Sequence, residues 1–61
     1  MTYTEEARQT VAKCVQPDGS LHNLGWFLSW DLGREEATLD GTFTAEELHV
    51  IADYMQRKWK P

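Results

Sequence analysis

Hydrophobic residues recur at helical spacing over residues 4–15. Positions i, i+4, i+7 and i+8 of this segment are apolar, and such positions line one face of a helix. The residues at these positions are Ala7, Val11, Cys14 and Val15. Thr4 can act as the N-cap, and the two glutamates that follow it suit the positive end of the helix dipole. The pattern predicts a helix that stops at the turn sequence Pro17-Asp18-Gly19-Ser20, because proline cannot continue it.

A second helical pattern occupies the carboxyl-terminal third. Its predicted apolar face consists of Leu48, Ile51, Ala52, Met55 and Trp59. Thr44 and Glu47 have the spacing of a capping box, and Phe43 and Leu48 have that of a hydrophobic staple. The helix is therefore predicted to begin at Thr44 and to run toward the basic residues at 57–60, whose charges complement the helix dipole.

The segment between these helices alternates with a period of two. If it is a strand, one face carries Trp26, Leu28, Trp30 and Leu32, and the other carries Phe27, Ser29 and Asp31. The alternative is a helix over 20–33, capped by Ser20 and ended by Gly33, which would give a three-helix protein. We favour the strand because Trp and Phe suit β-structure and Gly25 would weaken a helix.

Residues 35–43 alternate as well. Their apolar face would carry Ala37, Leu39 and Phe43, together with Gly41. The short connection before them contains Gly33, as a hairpin loop often does. Asp40-Gly41 lies too close to the last helix for another hairpin, so a bulge or bend is expected there. The sequence predicts a single small α+β domain over 1–61: helix, two-stranded antiparallel hairpin, helix, with both helices on one face of the sheet.

The chain has 61 residues and one cysteine, Cys14. A chain of this size has room for one small core, in which Cys14 is interpreted as a buried apolar residue, the alternative being a reactive or intermolecular thiol. An intramolecular disulfide is excluded, which favours a reducing compartment. The sequence shows neither a leader pattern nor an apolar run long enough for a membrane span. We expect no membrane association and a cytoplasmic protein.

The net charge of −4 is distributed unevenly. Arg34 is the single basic residue in 31–53, where most of the acids lie, whereas 54–61 is basic. The acidic middle disfavours nucleic-acid binding, although the basic end permits a local contact.

No motif for catalysis or metal binding is present. His22 and His49 do not stand at ligand spacing with each other or with Cys14. The carboxylates of Asp31, Glu35, Glu36 and Asp40 would lie on a solvated hairpin, where nothing shifts their pKa values for acid–base work. The sequence predicts no metal, no cofactor and no enzymatic activity.

Aromatic residues are abundant for so short a chain: Tyr3, Trp26, Phe27, Trp30, Phe43, Tyr54 and Trp59. A strand would place Trp26 and Trp30 on the core face and expose Phe27. Trp59 either caps the last helix or anchors a partner, and the division between core and interface among the tryptophans stays open. An exposed aromatic beside acids is typical of a protein-binding surface. The predicted protein-binding residues are Trp26, Phe27, Trp30, Asp31, Glu35, Glu36 and Trp59.

The tract WFLSWDLG joined to ATLDGTFTAEEL, within residues 24–55, resembles small orphan proteins of lambda-like temperate bacteriophages. The resemblance implies an accessory factor that binds proteins of the bacterial host. The small size, the missing catalytic motifs and the aromatic residues beside acids lead us to expect a non-enzymatic interaction module. Its partner is either a host protein or a second copy of the chain in a homodimer, and the two can coexist. The alternative is a nucleic-acid-associated regulator, using the residues at 57–60 as a contact or the acidic hairpin as a mimic.

Overall fold

The computed structural model describes residues 4–23, 25 and 27–60. The described chain forms two helices and three strands: α1 (Glu5–Ala12), β1 (Leu21–Asn23), β2 (Phe27–Trp30), β3 (Thr38–Asp40) and α2 (Ala45–Met55). The strands make one antiparallel sheet in the order β1-β2-β3. The predicted α+β class is confirmed, and the three-helix alternative is wrong.

The predicted two-stranded hairpin is corrected to a three-stranded sheet, because β1 was missed. β1 pairs Leu21 with Trp30, His22 with Ser29 and Asn23 with Leu28. Three residues are too few to display a period-two pattern, and Leu-His-Asn has no β-branched or aromatic residue to mark it. The aromatic strand β2 is therefore central, with a hydrogen-bonded neighbour on each side.

The turn at 17–20 leads from α1 into the sheet. Asp18 Oδ1 accepts hydrogen bonds from the Ser20 backbone N–H at 2.9 Å and from Ser20 Oγ at 2.6 Å. Gly19 has a left-handed φ of +93°, which glycine adopts without strain. Val15 pairs with Leu21 in an isolated bridge, so Val15 belongs to the segment that leads into β1. The helix predicted to include Val15 ends earlier, at Ala12.

Both helices and the sheet share one core. Its buried members are Ala7, Val11, Cys14, Leu21, Leu28, Trp30, Val50 and Ile51. The prediction that Cys14 is buried is confirmed. Leu28 and Trp30 alternate with exposed Phe27, as the strand pattern predicted. Leu32 was predicted on the buried face but is 51% exposed, because β2 ends at Trp30 and the alternation stops with it.

The start of α2 follows the prediction closely. Thr44 is the N-cap, and both hydrogen bonds of the capping box are present. The predicted apolar face is confirmed in part: Ile51 is buried, and Met55 and Trp59 pack against the core. Leu48 is 42% exposed and Ala52 is exposed, whereas Val50, outside the predicted face, is buried. α1 packs against α2, and Val50 belongs to the same core cluster as Ala7 and Val11 of α1.

β3 lies at the margin of the sheet. Leu39 stands directly opposite Leu28, so the two side chains share the core-facing side. Leu39 is nevertheless 43% exposed, because β3 is an edge strand that pairs with β2 alone. The predicted buried role of Leu39 is therefore only half realised.

Candidate functional site

The strand register defines an outer face, the side of the sheet that points away from the helices. Phe27 stands opposite Asp40, and Ser29 stands between His22 and Thr38. These five side chains, His22, Phe27, Ser29, Thr38 and Asp40, constitute the outer face. Phe27 is 55% exposed, the largest value among the large apolar side chains that the structure describes. The predicted exposure of Phe27 is confirmed.

Asp31 lies at the end of β2, beside the outer face. Its Oδ1 is 3.8 Å from His22 Nε2, and its Oδ2 is 3.8 Å from Arg34 Nη1. All three side chains are exposed, so these ion pairs add little to stability. Asp31 remains accessible to a basic group on a partner.

Glu35 and Glu36 occupy the connection between β2 and β3. Both are exposed. Glu35 lines a cleft of about 560 Å³ on the helix side of the sheet, together with Trp30, Gly33, Arg34, Ala52, Met55, Gln56 and Arg57. Glu35, predicted as a protein-binding residue, thus lies on the helix side of the sheet and not on the outer face.

Trp30 is 3% exposed and belongs to the core. Its Nε1 donates to the Arg34 carbonyl oxygen at 2.7 Å, which closes the loop after β2. Its ring meets Tyr54 edge to face, with the centroids 5.9 Å apart. Trp30 therefore supports the fold and presents no surface to a partner. Trp26, also predicted to contact a partner, lies outside the described residues.

Trp59 packs back onto α2. Its Nε1 donates to the Val50 carbonyl oxygen at 2.8 Å, and its ring centroid is 5.2 Å from that of Tyr54. Arg8 Cζ lies over the same ring, 5.7 Å from its centroid. The structure places Trp59 as a half-buried cap on the core rather than as a projecting anchor.

Tyr54 is a residue that the sequence pattern did not single out. Its hydroxyl donates to the Gly19 carbonyl oxygen at 2.8 Å, joining α2 to the turn before β1. Tyr54 lies four residues after Val50 and three after Ile51, so the three share one helix face. Once Val50 and Ile51 are known to be buried, this spacing indicates that Tyr54 packs on the same side. A cleft of about 450 Å³ is lined by Trp30, Leu32, Tyr54, Arg57, Trp59 and Lys60.

Two carboxylates have lowered pKa values, and both are structural. The Ser20 hydroxyl and backbone N–H lower the pKa of Asp18. The Thr4 hydroxyl and backbone N–H lower the pKa of Glu46, the backbone bond being 2.8 Å long. Each carboxylate is stabilised as the anion, which suits a hydrogen-bond acceptor and not a general acid. Over 4–23, 25 and 27–60, no group of three or more His, Cys, Asp or Glu residues is placed to hold a metal.

Comparisons with models of known protein families, with curated proteins and with solved structures give no match for this chain. No relative therefore assigns a role to any residue. No helix among the described residues is long and apolar enough to cross a membrane.

Proposed function

We propose that the protein is a non-enzymatic interaction module that binds another protein through the outer face, with Phe27 as the central apolar contact. The observation that carries this proposal is the 55% exposure of an aromatic side chain on the middle strand of a sheet. Because Phe27 begins β2 and pairs with Asp40 of β3, its backbone is held by the sheet before a partner arrives. Such pre-organisation lowers the entropy cost of binding.

The surroundings of Phe27 indicate the chemistry of the partner. Asp40 stands opposite it, and Asp31 lies at the end of the same strand. An apolar centre with a polar rim is the usual arrangement of a protein interface. The complementary surface would offer an apolar pocket flanked by basic groups, and the net charge of −4 would speed its association. The resemblance to phage accessory proteins makes a host protein one such partner. A second copy of the chain is another.

The nucleic-acid alternative draws on the cleft that contains Arg57 and Lys60. Its aromatic residues are poorly placed for stacking on bases, because Trp30 is buried and the Trp59 ring is already contacted by Tyr54 and Arg8. The excess of acids in the chain also opposes phosphate binding. Protein binding is the better supported of the two.

Affinity capture from a bacterial lysate tests the proposal with two matched variants. Phe27→Ser removes the outer-face contact, and Leu48→Ser removes a side chain of similar exposure from α2. We expect the wild type and Leu48→Ser to recover the same partner and Phe27→Ser to lose it. Thermal unfolding of all three proteins checks that folding is unchanged. Equal recovery by Phe27→Ser would overturn the proposal.

The nucleic-acid alternative has its own measurement. It predicts that a fluorescent single-stranded DNA binds at low salt, that added salt weakens the binding, and that Arg57→Ala reduces it while Phe27→Ser does not. We expect no binding in this assay.

A further inference from the structure

The two edges of the sheet differ. The outer edge of β1 is partly covered by the chain itself, since Val15 bridges to Leu21 and the His22 N–H donates to the Cys14 carbonyl oxygen at 2.9 Å. β3 pairs with β2 alone, and among the described residues no other helix or strand has a Cα within 8 Å of it. All three residues of β3 are exposed, and none of the loop and turn backbone hydrogen bonds described for the chain reaches them, so the second edge of β3 is open.

Apolar side chains lie on both sides of this open edge. Leu39 is 43% exposed on the helix side, and Phe27, next to β3, is 55% exposed on the outer face. Proteins usually protect an open edge with lysine, proline or a covering segment. β3 reads Thr-Leu-Asp, with neither residue, so its protection is limited to its short length and the charge of Asp40. An open edge of this kind accepts a further strand by main-chain hydrogen bonding.

We propose that β3 pairs antiparallel with β3 of a second copy of the chain, with Leu39 opposite the same residue of the partner. The inference rests on the proposed function, because it names one of the partners of the interaction module. A two-fold axis perpendicular to the sheet joins the two copies into one continuous six-stranded sheet. In such a pair, helix-side residues of one copy contact only helix-side residues of the other, and outer-face residues contact only outer-face residues.

This symmetry allows three registers near the strand centre, in which the pair is centred on Thr38, Leu39 or Asp40. Repulsion between carboxylates distinguishes them. Centring the pair on Thr38 places Asp40 opposite the partner's Glu36, and centring it on Asp40 places two Asp40 carboxylates together. Like charges directly opposite each other destabilise a sheet. Centring on Leu39 places Asp40 opposite the partner's Thr38, so that no strand carboxylate meets another. The same register packs the two half-exposed leucines together, extending the apolar row begun by Leu28.

The dimer also enlarges the outer face. Both Phe27 side chains would lie on the same side of the joined sheet, separated by the two β3 strands. Pairing of two three-residue strands buries less area than a standard stable interface, so we expect a weak dimer, with a dissociation constant in the micromolar range or above.

Sedimentation of the intact chain over a range of concentrations up to about 1 mM tests the dimer, and variants at Thr38 test its register. Thr38→Asp places an acid opposite Asp40 at two symmetric positions and is expected to raise the dissociation constant about tenfold. Thr38→Lys is expected to lower it by a similar factor. The double variant Thr38→Asp with Asp40→Lys restores opposite charges and is expected to recover the wild-type constant or better. Within one copy, Thr38 faces uncharged Ser29 and lies two residues from Asp40 on the same face, so thermal unfolding of each variant checks that the monomer is folded.

Two controls separate the register from general effects. Lys13→Gln changes the net charge by the same amount as Thr38→Asp, at an exposed position that caps the end of α1, and should leave dimerisation unchanged. Leu39→Ser should weaken the dimer, whereas Leu48→Ser, which removes a side chain 42% exposed, should not. A chain that stays monomeric at about 1 mM overturns the proposal. So does a dimer that responds to Thr38→Asp no more than to Lys13→Gln.

The experiments can reject the dimer and the proposed function independently of each other. Loss of the lysate partner in Phe27→Ser with a monomeric chain supports the interaction module and rejects the β3 pair. The opposite result is a dimer whose dissociation constant changes with the charge at Thr38 as expected, together with equal recovery of the lysate partner by wild type and Phe27→Ser. That result supports the β3 pair and rejects the outer-face site.

Discussion

Trp59 follows the end of α2 and packs back against it: its Nε1 donates a 2.8 Å hydrogen bond to the carbonyl oxygen of Val50, nine residues earlier. The reversal is made by Arg57, whose φ is +61°. The Arg57 N–H donates to the Tyr54 carbonyl oxygen at 2.9 Å and the Lys58 N–H to that of Asp53 at 2.8 Å, which together form a Schellman motif. The end of α2 therefore folds the last tryptophan onto the core.

Replacing Arg57 with glycine should stabilise the protein. The left-handed conformation costs a residue with a Cβ about 1 kcal/mol, a cost that glycine avoids. We expect Arg57→Gly to raise the free energy of unfolding by about 0.5–1 kcal/mol, measured by urea denaturation with tryptophan fluorescence. Arg57→Ala, which removes the charge and keeps the strain, is the control and should have little effect. Equal stability of the two variants would contradict the prediction.

Removing the Trp59 hydrogen bond should destabilise the fold. Trp59→Phe keeps an aromatic ring beside Tyr54 but has no N–H for the Val50 carbonyl, and we expect a loss of about 1 kcal/mol. Trp59→Ala also removes the ring packing and should cost about 2 kcal/mol or more. Urea denaturation followed by circular dichroism measures both. Lys60→Ala, at an exposed neighbouring position, should behave as wild type; a Trp59→Ala variant as stable as that control would show that the tryptophan does not cap the core.

The features predicted correctly from the sequence are mostly local. The Thr44–Glu47 capping box depends on side chains three residues apart, and both of its bonds are present. The turn at 17–20 likewise follows from its own residues. The exposure of Phe27 followed from alternation within one strand, and this local rule supplied the central residue of the candidate site.

The features that were missed depend on distant parts of the chain. α2 buries Val50 and leaves Leu48 exposed; Val50 belongs to a core that also contains Ala7 and Val11 of α1, which the pattern within α2 could not show. β1 exists because its partner β2 holds it in place. Trp59 folds back only because Arg57 adopts a conformation typical of glycine. The packing of Trp59 onto α2, and with it the removal of Trp59 from the candidate site, was therefore not predictable from spacing alone, whereas the burial of Trp30 followed from the alternation within β2.

The capping box of α2 should contribute measurably to stability. Glu47 is 7% exposed, and its Oε1 accepts from the Thr44 N–H at 2.8 Å while its own N–H donates to Thr44 Oγ1 at 3.0 Å. Glu47→Ala leaves the Thr44 N–H without its acceptor, and we expect a loss of about 1 kcal/mol. Glu47→Gln keeps an acceptor oxygen and should retain most of that stability. Chemical denaturation at neutral pH compares the two, and equal losses would mean that the reciprocal bond is not what Glu47 supplies.

The bond from Thr4 to Glu46 should make stability depend on pH. It joins the N-terminal ends of α1 and α2, with the Thr4 N–H 2.8 Å from Glu46 Oε2. Hydrogen bonds from Thr4 hold the pKa of Glu46 below its ordinary value of 4.5 in the folded protein. The unfolded chain therefore takes up the proton first as the pH falls. The stabilisation is fully present above pH 4.5 and is lost as the pH drops through the lower, folded pKa.

Glu46→Gln tests this dependence, because glutamine keeps an acceptor oxygen and has no titrating proton. We expect the wild type to be more stable than Glu46→Gln at pH 7, and the difference to shrink steadily below pH 4.5. Thermal unfolding across this range measures the difference in melting temperature at each pH. Glu36→Gln, at an exposed position in the connection between β2 and β3, is the control for the change in net charge. A difference between wild type and Glu46→Gln that stayed constant down to the acid limit, or that matched the Glu36→Gln control, would show that the contact between the two helix ends does not favour the ionised carboxylate.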